Sequence, residues 1–139
     1  MSDYATFHPQ HVLCPVNLTD AAQVGLQHAA ALARRFGATL TELYSVEGEA
    51  PLPPSQVREA VSSWIPDPLV AATATVEPIV RHGHAAEQIL ADAAEHDLDL
   101  IVLAAQRWPF LQASLFSSTT ELVLRQAPIP VLVAPVPLD

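Results

Sequence analysis

Short apolar segments alternate with helix patterns along the chain, and this alternation restricts the possible folds more than any other feature of the sequence. Apolar or β-forming residues concentrate in five segments, residues 11–16, 38–46, 74–80, 98–104 and 129–134. Helical spacing of apolar residues fills the intervals that begin near residues 20, 55, 86 and 118. Such a chain is expected to form a parallel sheet with right-handed crossovers and helices on both faces.

Individual residues support several of these boundaries. Thr19 has the side chain of an N-cap for the first helix, and Gly37, which follows a pair of arginines, is a typical helix stop. Pro78 lacks the N–H that a central strand would use, so the third strand is expected at an edge of the sheet. Proline is frequent between residues 47 and 68, so the second helix is expected to be short.

The 139 residues are expected to form one domain, 1–139, because this length suffices for a single core. We predict an α/β fold with a five-stranded, parallel, doubly wound, Rossmann-like sheet in the order 3-2-1-4-5. In such sheets ligands bind outside the carboxyl ends of the strands, where the winding direction reverses. That crevice is expected between residues 15–19, after the first strand, and residues 104–107, after the fourth.

The charge of the chain excludes several functions. Fifteen acidic residues stand against six arginines and no lysine, which gives a formal net charge of -9. A surface of this sign repels nucleic acid, and without lysine the chain cannot form a P-loop or a Schiff base. No apolar run reaches the roughly 18 to 20 residues that cross a bilayer, and the first residues lack a signal-peptide pattern. We therefore expect a soluble cytoplasmic protein that binds neither nucleic acid nor membrane.

Four histidines could suggest a metal site, namely His8, His11, His82 and His84. Zinc usually needs three or four ligands at matched spacing, and the sequence supplies no such set, so we expect solvated or hydrogen-bonded histidines and no metal. Cys14 lies in an apolar run without a basic neighbour in sequence to favour its thiolate. It is expected to be a small buried hydrophobe.

An acidic strip, defined here as Asp92, Glu95, Asp97 and Asp99, is interpreted as a solvated helix end and turn. The chain contains no G-x-S-x-G elbow, and Thr19 and Asp20 with a histidine do not make a hydrolase triad. We therefore expect no catalytic residues and no enzymatic activity.

Four pieces of sequence occur in an order that resembles one protein family. They are VLCPVNLTDAA (12–22), GHAAEQIL (83–90), DLDLIVL (97–103) and TELVLRQAPIPVLV (120–133). Together they resemble the universal stress protein family, over residues 11–135 and least clearly across 47–73. The resemblance implies the same five-stranded α/β fold, commonly dimeric through the last strand. It also implies a family in which one branch binds ATP and another does not.

The ATP-binding branch of that family carries the motif G-x2-G-x9-G-S/T, and the corresponding positions of this chain contain no glycine. Aligned without gaps, the three glycine positions fall on Ala104, Arg107 and Ser117, and the hydroxyl position falls on Ser118. Glycine in such a loop allows positive φ and a close approach of backbone N–H groups to phosphate. Asn17 stands where the family has an acidic residue near the nucleoside, and it offers a hydrogen bond without charge.

By this resemblance the nucleotide-binding positions would be Pro15, Val16, Asn17, Val46, Ala104, Arg107, Ser117, Ser118 and Thr119. The loop before Ser118 has also gained bulky side chains, above all Trp108, Phe110 and Phe116. Leaving large aromatic side chains exposed forgoes roughly 1.5 to 3 kcal/mol each, so we expect them to fill the crevice or to pack against another subunit.

Ser118 and Glu121 have the spacing of a capping box, in which each side chain bonds a backbone N–H at the start of a helix. Alternatively, Ser117, Ser118 and Thr119 would present donors to a phosphate at the helix N-terminus. We favour capping, because the helix dipole is generic whereas the glycines are absent.

Three functional hypotheses follow from these patterns. We prefer a non-enzymatic, dimeric stress-response module that has lost ordinary ATP binding and needs no cofactor, with Ile129, Val131 and Val133 at the homodimer interface. The alternative is a protein that binds ATP, another adenine nucleotide or a small anion through the altered loop. A hydrolase is least favoured, because the chain offers neither a phosphate-clamping lysine nor an evident base. A small-molecule or protein partner of unknown identity is left open.

Overall fold

The computed structural model describes residues 7–17, 20–48, 53–63, 75–95, 97–105 and 118–135. The strands are β1 (His11–Val16), β2 (Thr39–Val46), β3 (Thr75–His82), β4 (Leu100–Ala105) and β5 (Val131–Pro135). The helices in these ranges are α1 (Asp20–Phe36), α2 (Pro54–Ser63), α3 (Ala85–Glu95) and α4 (Ser118–Gln126). None of these helices has the length and apolar content needed to span a membrane.

The five strands form one parallel sheet in the order β3-β2-β1-β4-β5. This confirms the predicted fold class and strand order, and it places β3, which contains Pro78, at an edge as predicted. Several strand boundaries differ from the prediction by one or two residues. β3 continues to His82, and β5 begins at Val131 rather than at residue 129, because Pro130 has no N–H to donate to a ladder.

Each face of the sheet has its own apolar cluster. The α1/α2 layer, between the sheet and helices α1 and α2, includes Val12, Leu26, Leu40, Val57 and Val102. The α3/α4 layer, on the opposite face, includes Leu13, Leu43, Ile89, Leu103 and Val123. Consecutive strand residues belong to different layers because side chains alternate between the two faces of a strand.

Helix α1 ends where the sequence predicts. Gly37 has a φ of 65°, and the N–H of Ala38 donates to the carbonyl of Ala33 at 2.8 Å. The N–H of Gly37 donates to the carbonyl of Arg34 at 3.4 Å. This pair of hydrogen bonds around a left-handed glycine is a Schellman motif, which satisfies carbonyls that the helix end leaves free.

The two ladders of β1 differ in length. β1 pairs with β2 along its whole length. With β4 it pairs through Val12 and Leu13, which lie opposite Leu100 and Ile101. Pro15, beyond these pairs, has no backbone N–H to donate. The ladder between β1 and β4 therefore ends before the carboxyl ends of both strands, where the ligand crevice is predicted.

Candidate functional site

The predicted crevice residues lie at the carboxyl ends of neighbouring strands and at the start of α4. Pro15, Val16 and Asn17 end β1, and Val46 ends β2. Ala104 is the next-to-last residue of β4, and Ser118 and Thr119 begin α4. Arg107 and Ser117, together with the rest of the loop from 106 to 117, lie outside the described residues. The predicted role of that loop stays a prediction.

The described residues at the predicted crevice differ in exposure. Val16 and Val46 are buried in the core of the α1/α2 layer. Asn17 and Ser118 are exposed, and Pro15 is half-buried. Of these residues, Asn17 and Ser118 expose an amide and a hydroxyl, which are neutral hydrogen-bonding groups.

Ala104, at the first glycine position of the family motif, lies in regular strand structure. It pairs with Ala134 of β5, and the following residue, Ala105, pairs with Pro135. Strand β4 therefore ends one residue later than the predicted segment 98–104, and it begins two residues later, at Leu100. A residue in a parallel ladder has a negative φ, so this position does not adopt the backbone conformation for which a loop glycine is needed.

Gly25 of α1 packs directly against Ala104. A Cβ placed on Gly25 would lie 3.2 Å from the backbone nitrogen of Ala104 and 3.3 Å from its Cβ. Glycine thus lets the helix rest on the end of β4 without a side chain between them. This role of Gly25 could not be predicted from the sequence, because the only local signal of a helical glycine is its low helix propensity.

The predicted capping box involves the first turn of α4. The helix begins at Ser118, which is exposed, and Glu121 is the acidic residue of its first turn. Thr120, between them in sequence, is buried. Glu121 at this end and Arg125 in the last turn complement the helix dipole. The choice between capping and phosphate binding stays a prediction, because Ser117 lies outside the described residues.

Glu42 is a buried carboxyl that the sequence analysis missed. It lies in the middle of β2, opposite Cys14 of β1 and Pro78 of β3, and its side chain is inaccessible to solvent. Among the described residues, neither Oε1 nor Oε2 has a hydrogen-bond partner. Burial raises the pKa of Glu42 to about 7, because the surroundings disfavour the charged form. An acidic residue within a strand that is covered on both faces was the available signal.

Cys14, the sole cysteine of the chain, is buried as predicted. Burial, with a smaller contribution from the nearby charge of Glu42, raises the pKa of the Cys14 thiol far above its ordinary value. The prediction of a small buried hydrophobe is therefore confirmed. The thiol is unreactive while the fold around it stays closed.

The interpretation of the acidic strip as solvated is wrong for Asp92. This residue of α3 is only 2% exposed, and its Oδ1 accepts a hydrogen bond from Nη2 of Arg81 in β3 at 2.6 Å. An aspartate carboxylate is rarely buried unless it is paired with a cation. Glu95 and Asp97 are exposed, as predicted.

Asp99, the last residue of the acidic strip, is half-buried and hydrogen-bonded to the backbone of the residues before β1 and at its start. Its Oδ2 accepts hydrogen bonds from the backbone N–H of Gln10 at 2.7 Å and from that of His11 at 2.9 Å. Its own N–H donates to the carbonyl of His11 at 2.9 Å. Asp99 thus ties the start of β4 to the start of β1, the opposite end of the sheet from the crevice.

Hydrogen bonds link the carboxyl end of β2 to the turn between β3 and α3. Oγ of Ser45 donates to the carbonyl of Gly83 at 2.7 Å, and Oε1 of Glu47 accepts the N–H of Ala85 at 2.7 Å. Nδ1 of His84 lies 3.9 Å from the same Glu47 oxygen. The Glu47 carboxylate therefore satisfies a free N–H of the helix and complements its dipole.

The histidines do not gather into one site. His82 and His84 are exposed, whereas the ring of His8 makes an edge-to-face contact with Phe36, with 5.2 Å between ring centroids. Within the described ranges, no three side chains of the His, Cys, Asp and Glu types are placed to hold one metal ion.

Comparison with known proteins relates this architecture to one family. The sequence model of the Universal stress protein family matches residues 9–135. No curated protein matches the chain. Among solved structures, universal stress protein UspA from Lactobacillus plantarum is 28% identical, with a TM-score of 0.69 over 90% of this chain and 97% of that one.

Two further structures show the same fold at lower identity. A universal stress protein in complex with cAMP is 17% identical, with a TM-score of 0.73 over 91% of this chain and 97% of that one. The universal stress protein from Archaeoglobus fulgidus in complex with dAMP is 23% identical, with a TM-score of 0.67 over 91% and 98% of the two chains. The family match spans nearly the whole fold, from the start of the sheet to the end of β5. The chain therefore belongs to the universal stress protein family.

Proposed function

We propose that this chain is a dimeric, non-enzymatic stress-response module of the cytoplasm that does not bind ATP in the ordinary way of its family. The observation that carries the proposal is the placement of Ala104, which is paired in the ladder of β4 and β5 and packed against Gly25. A phosphate loop needs glycine at this position for positive φ and close backbone approach. The chain also has no lysine to neutralise phosphates.

A second candidate function is the binding of an adenine nucleotide without a glycine-rich loop. It is favoured by the two similar proteins whose structures contain cAMP and dAMP. It is also favoured by Asn17 and Ser118, which are exposed at the end of β1 and at the start of α4. Their side chains suit a nucleoside better than a triphosphate, because they offer neutral hydrogen bonds and no cation.

Thermal unfolding in the presence of nucleotides tests the proposal. A ligand present at about a hundred times its Kd stabilises a folded protein by about 2.7 kcal/mol, which raises Tm by several degrees. We expect the wild-type chain to show no shift with millimolar ATP, ADP, AMP or cAMP, each with and without magnesium. A shift with AMP or cAMP alone would support the second candidate, and a shift with ATP and magnesium would contradict the proposal.

A variant with the three family glycines restored serves as the matched control for this assay. Ala104→Gly, Arg107→Gly and Ser117→Gly are combined in one chain, and Arg125→Gly, in the exposed last turn of α4, is the comparison for glycine substitution alone. If the glycines are what ATP binding lacks, the triple variant gains a shift and the Arg125 variant does not.

The proposed dimer interface is the outer edge of β5. Val131 packs against the α3/α4 layer, whereas Leu132 is 38% exposed. In the described part of the chain no strand pairs with this edge. An unpaired edge with exposed apolar side chains invites another strand, and a two-fold axis through β5 would close the sheet with its own copy. Pro130 and Pro135 bracket the strand and limit the pairing to the residues between them.

The substitution Leu132→Glu tests this interface. A two-fold axis would bring two like charges together and remove the apolar contact, so we expect the dimer Kd to rise by about 100-fold. Thr75→Glu, at an exposed position of the opposite edge strand β3, should leave the Kd unchanged. Sedimentation equilibrium measures both. A wild-type chain that stays monomeric at micromolar concentration would exclude the dimer, and an unaffected Leu132→Glu dimer would place its interface elsewhere.

A further inference from the structure

Glu42 has a buried side chain, and the proposed function does not explain its burial. It belongs to β2, and its register partners are Cys14 in β1 and Pro78 in β3. It is fully buried, and neither of its carboxylate oxygens has a hydrogen-bond partner in the part of the chain that the structure describes. A buried polar group normally has a partner, so this exception needs a physical account.

The carboxyl lies in the α1/α2 layer, because it shares a strand face with Leu40, Tyr44 and Val46, which belong to or pack against that layer. The side chains of α1 and α2 in this layer include Leu26, Ala29, Ala30, Ala33 and Val57, all of which are apolar. The carboxyl therefore lies in an apolar environment between the sheet and two helices.

Few ionisable groups approach Glu42 from the surrounding elements. On its own strand, Tyr44 is the nearest in sequence on the same face, and Cys14 is the titratable group on β1. The register partner on β3 is a proline, and Arg81 of that strand is bonded to Asp92 in the opposite layer. On the helices, four charged or titratable side chains are exposed, namely His28, Arg34, Arg35 and Glu59. The side chains of Asp20 and Arg58 lie outside the described residues.

In this environment the two protonation states of Glu42 differ in cost. The neutral acid loses hydrogen bonds to water, which costs a few kcal/mol at most, whereas the ionised carboxylate loses far more solvation. No described cation compensates the charge. The closed layer thus binds a proton at Glu42 more tightly than the unfolded chain does, consistent with a pKa of about 7 in place of 4.5.

We propose that Glu42 is a proton-operated switch, which keeps the β1-β2-β3 half of the sheet closed under α1 and α2 when it is protonated and favours opening of that layer when it is ionised. The sign follows from linkage. A carboxyl that is harder to ionise in the closed state contributes stability that is complete in acid, falls as pH rises between the unfolded and folded values, and is absent above the folded value. The switch is separate from the crevice and from the β5 edge.

The chain carries its own reporter of this opening. Cys14 is its sole cysteine and is buried. It is the register partner of Glu42 on the neighbouring strand β1. A thiol reagent such as 4,4'-dithiodipyridine reaches it only when the layer opens. The labelling rate of the native chain, divided by the rate of the urea-unfolded chain at the same pH, cancels the ordinary ionisation of the thiol and gives the open population.

We expect this open population to rise by about 30-fold between about pH 5.5 and about pH 8 in the wild-type chain, from the shift of the Glu42 pKa. In Glu42→Gln, which keeps the shape but cannot ionise, the ratio should be flat over the same range. A wild-type ratio that changes by less than three-fold would overturn the proposal. A Glu42→Gln chain that keeps the full response would overturn it as well, because another group would then be responsible.

Two further measurements keep the test decisive if Glu42→Gln does not fold. Glu42→Leu removes the polar group altogether, and it should show a flat profile and slower labelling than wild type at about pH 8. Carbon-13 NMR of the glutamate side-chain carboxyls in the wild-type chain should show one that titrates near neutrality and is lost in Glu42→Leu. If every glutamate carboxyl titrates in its ordinary range, the switch does not exist.

Discussion

Replacing Arg81 with methionine should lower the unfolding free energy by about 3 kcal/mol. The reason is the partner that it leaves behind. Asp92 is 2% exposed, whereas the Arg81 side chain is 35% exposed, so the carboxylate cannot reach water when its cation is removed, although the arginine could turn outward. The loss is at the low end for a buried pair because Arg81 is partly solvated. Urea-induced unfolding near neutral pH measures the effect.

Single substitutions of the two members of this ion pair should therefore lower the unfolding free energy by unequal amounts. Asp92→Leu should cost less than Arg81→Met, and the double variant should recover part of the loss of Arg81→Met, because the two substitutions together leave no buried charge. Arg125→Met, at an exposed position of α4, is the matched control and should change stability by less than about 0.5 kcal/mol. Equal losses for the two single variants, or strict additivity in the double variant, would contradict this account.

Gly25→Val should lower the unfolding free energy by about 2 to 3 kcal/mol, because a branched side chain would be forced between α1 and β4. The tight contacts are to the backbone nitrogen and the Cβ of Ala104, at 3.2 and 3.3 Å, and a backbone nitrogen in a sheet ladder cannot move aside cheaply. Gly25→Ala is the more informative variant, because steric crowding lowers the stability of this variant whereas the higher helix propensity of alanine raises it. Helix propensity alone would stabilise α1 by up to about 1 kcal/mol, so a net loss in urea unfolding identifies the steric effect.

A second substitution checks the same contact from the strand. Ala104→Gly removes one of the two close atoms, so in the Gly25→Ala background it should restore part of the lost stability, whereas alone it should destabilise β4. Gly37→Ala tests glycine loss without any crowding. Its Cβ would meet nothing within 4 Å, and its cost should come from the φ of 65° alone. A Gly25→Ala chain that is more stable than wild type would exclude the tight packing.

The sheet could be predicted because its signals are local and repeated. Strand β1 (11–16) and helix α4 (118–126) begin and end at the predicted residues. The strand order is the one expected for a chain in which strands and helices alternate. Pro78 identified the edge strand through the chemistry of its own backbone, and Gly37 identified the helix end in the same way. In each case one residue type has a conformational consequence that no distant contact needs to supply.

The missed residues depend on contacts between elements. Asp92 resembled its exposed neighbours in sequence, and its partner Arg81 comes from a different element, so only the packing of α3 on β3 distinguishes it. Glu42 occurs in a strand whose partial alternation would allow a solvated face, and its burial depends on α1 and α2 covering that face. Gly25 is in contact with a strand that begins more than seventy residues later in the chain. The position of the crevice stays a prediction, because the loop from 106 to 117 lies outside the described residues.

The short ladder between β1 and β4 divides the sheet into two hydrogen-bonded groups of strands. β3, β2 and β1 are joined by long ladders, as are β4 and β5. Two residue pairs of β1 and β4 connect the groups, next to the hydrogen bonds of Asp99 with Gln10 and His11 at the other end of the sheet. Helix α1 spans this division, because its apolar side packs with residues of both β1 and β4 and its Gly25 rests on Ala104. At the carboxyl ends of β1 and β4, where their ladder has ended, the two halves are therefore held together by the side-chain packing of α1. Loss of the contacts of α1 would weaken the sheet most at this end.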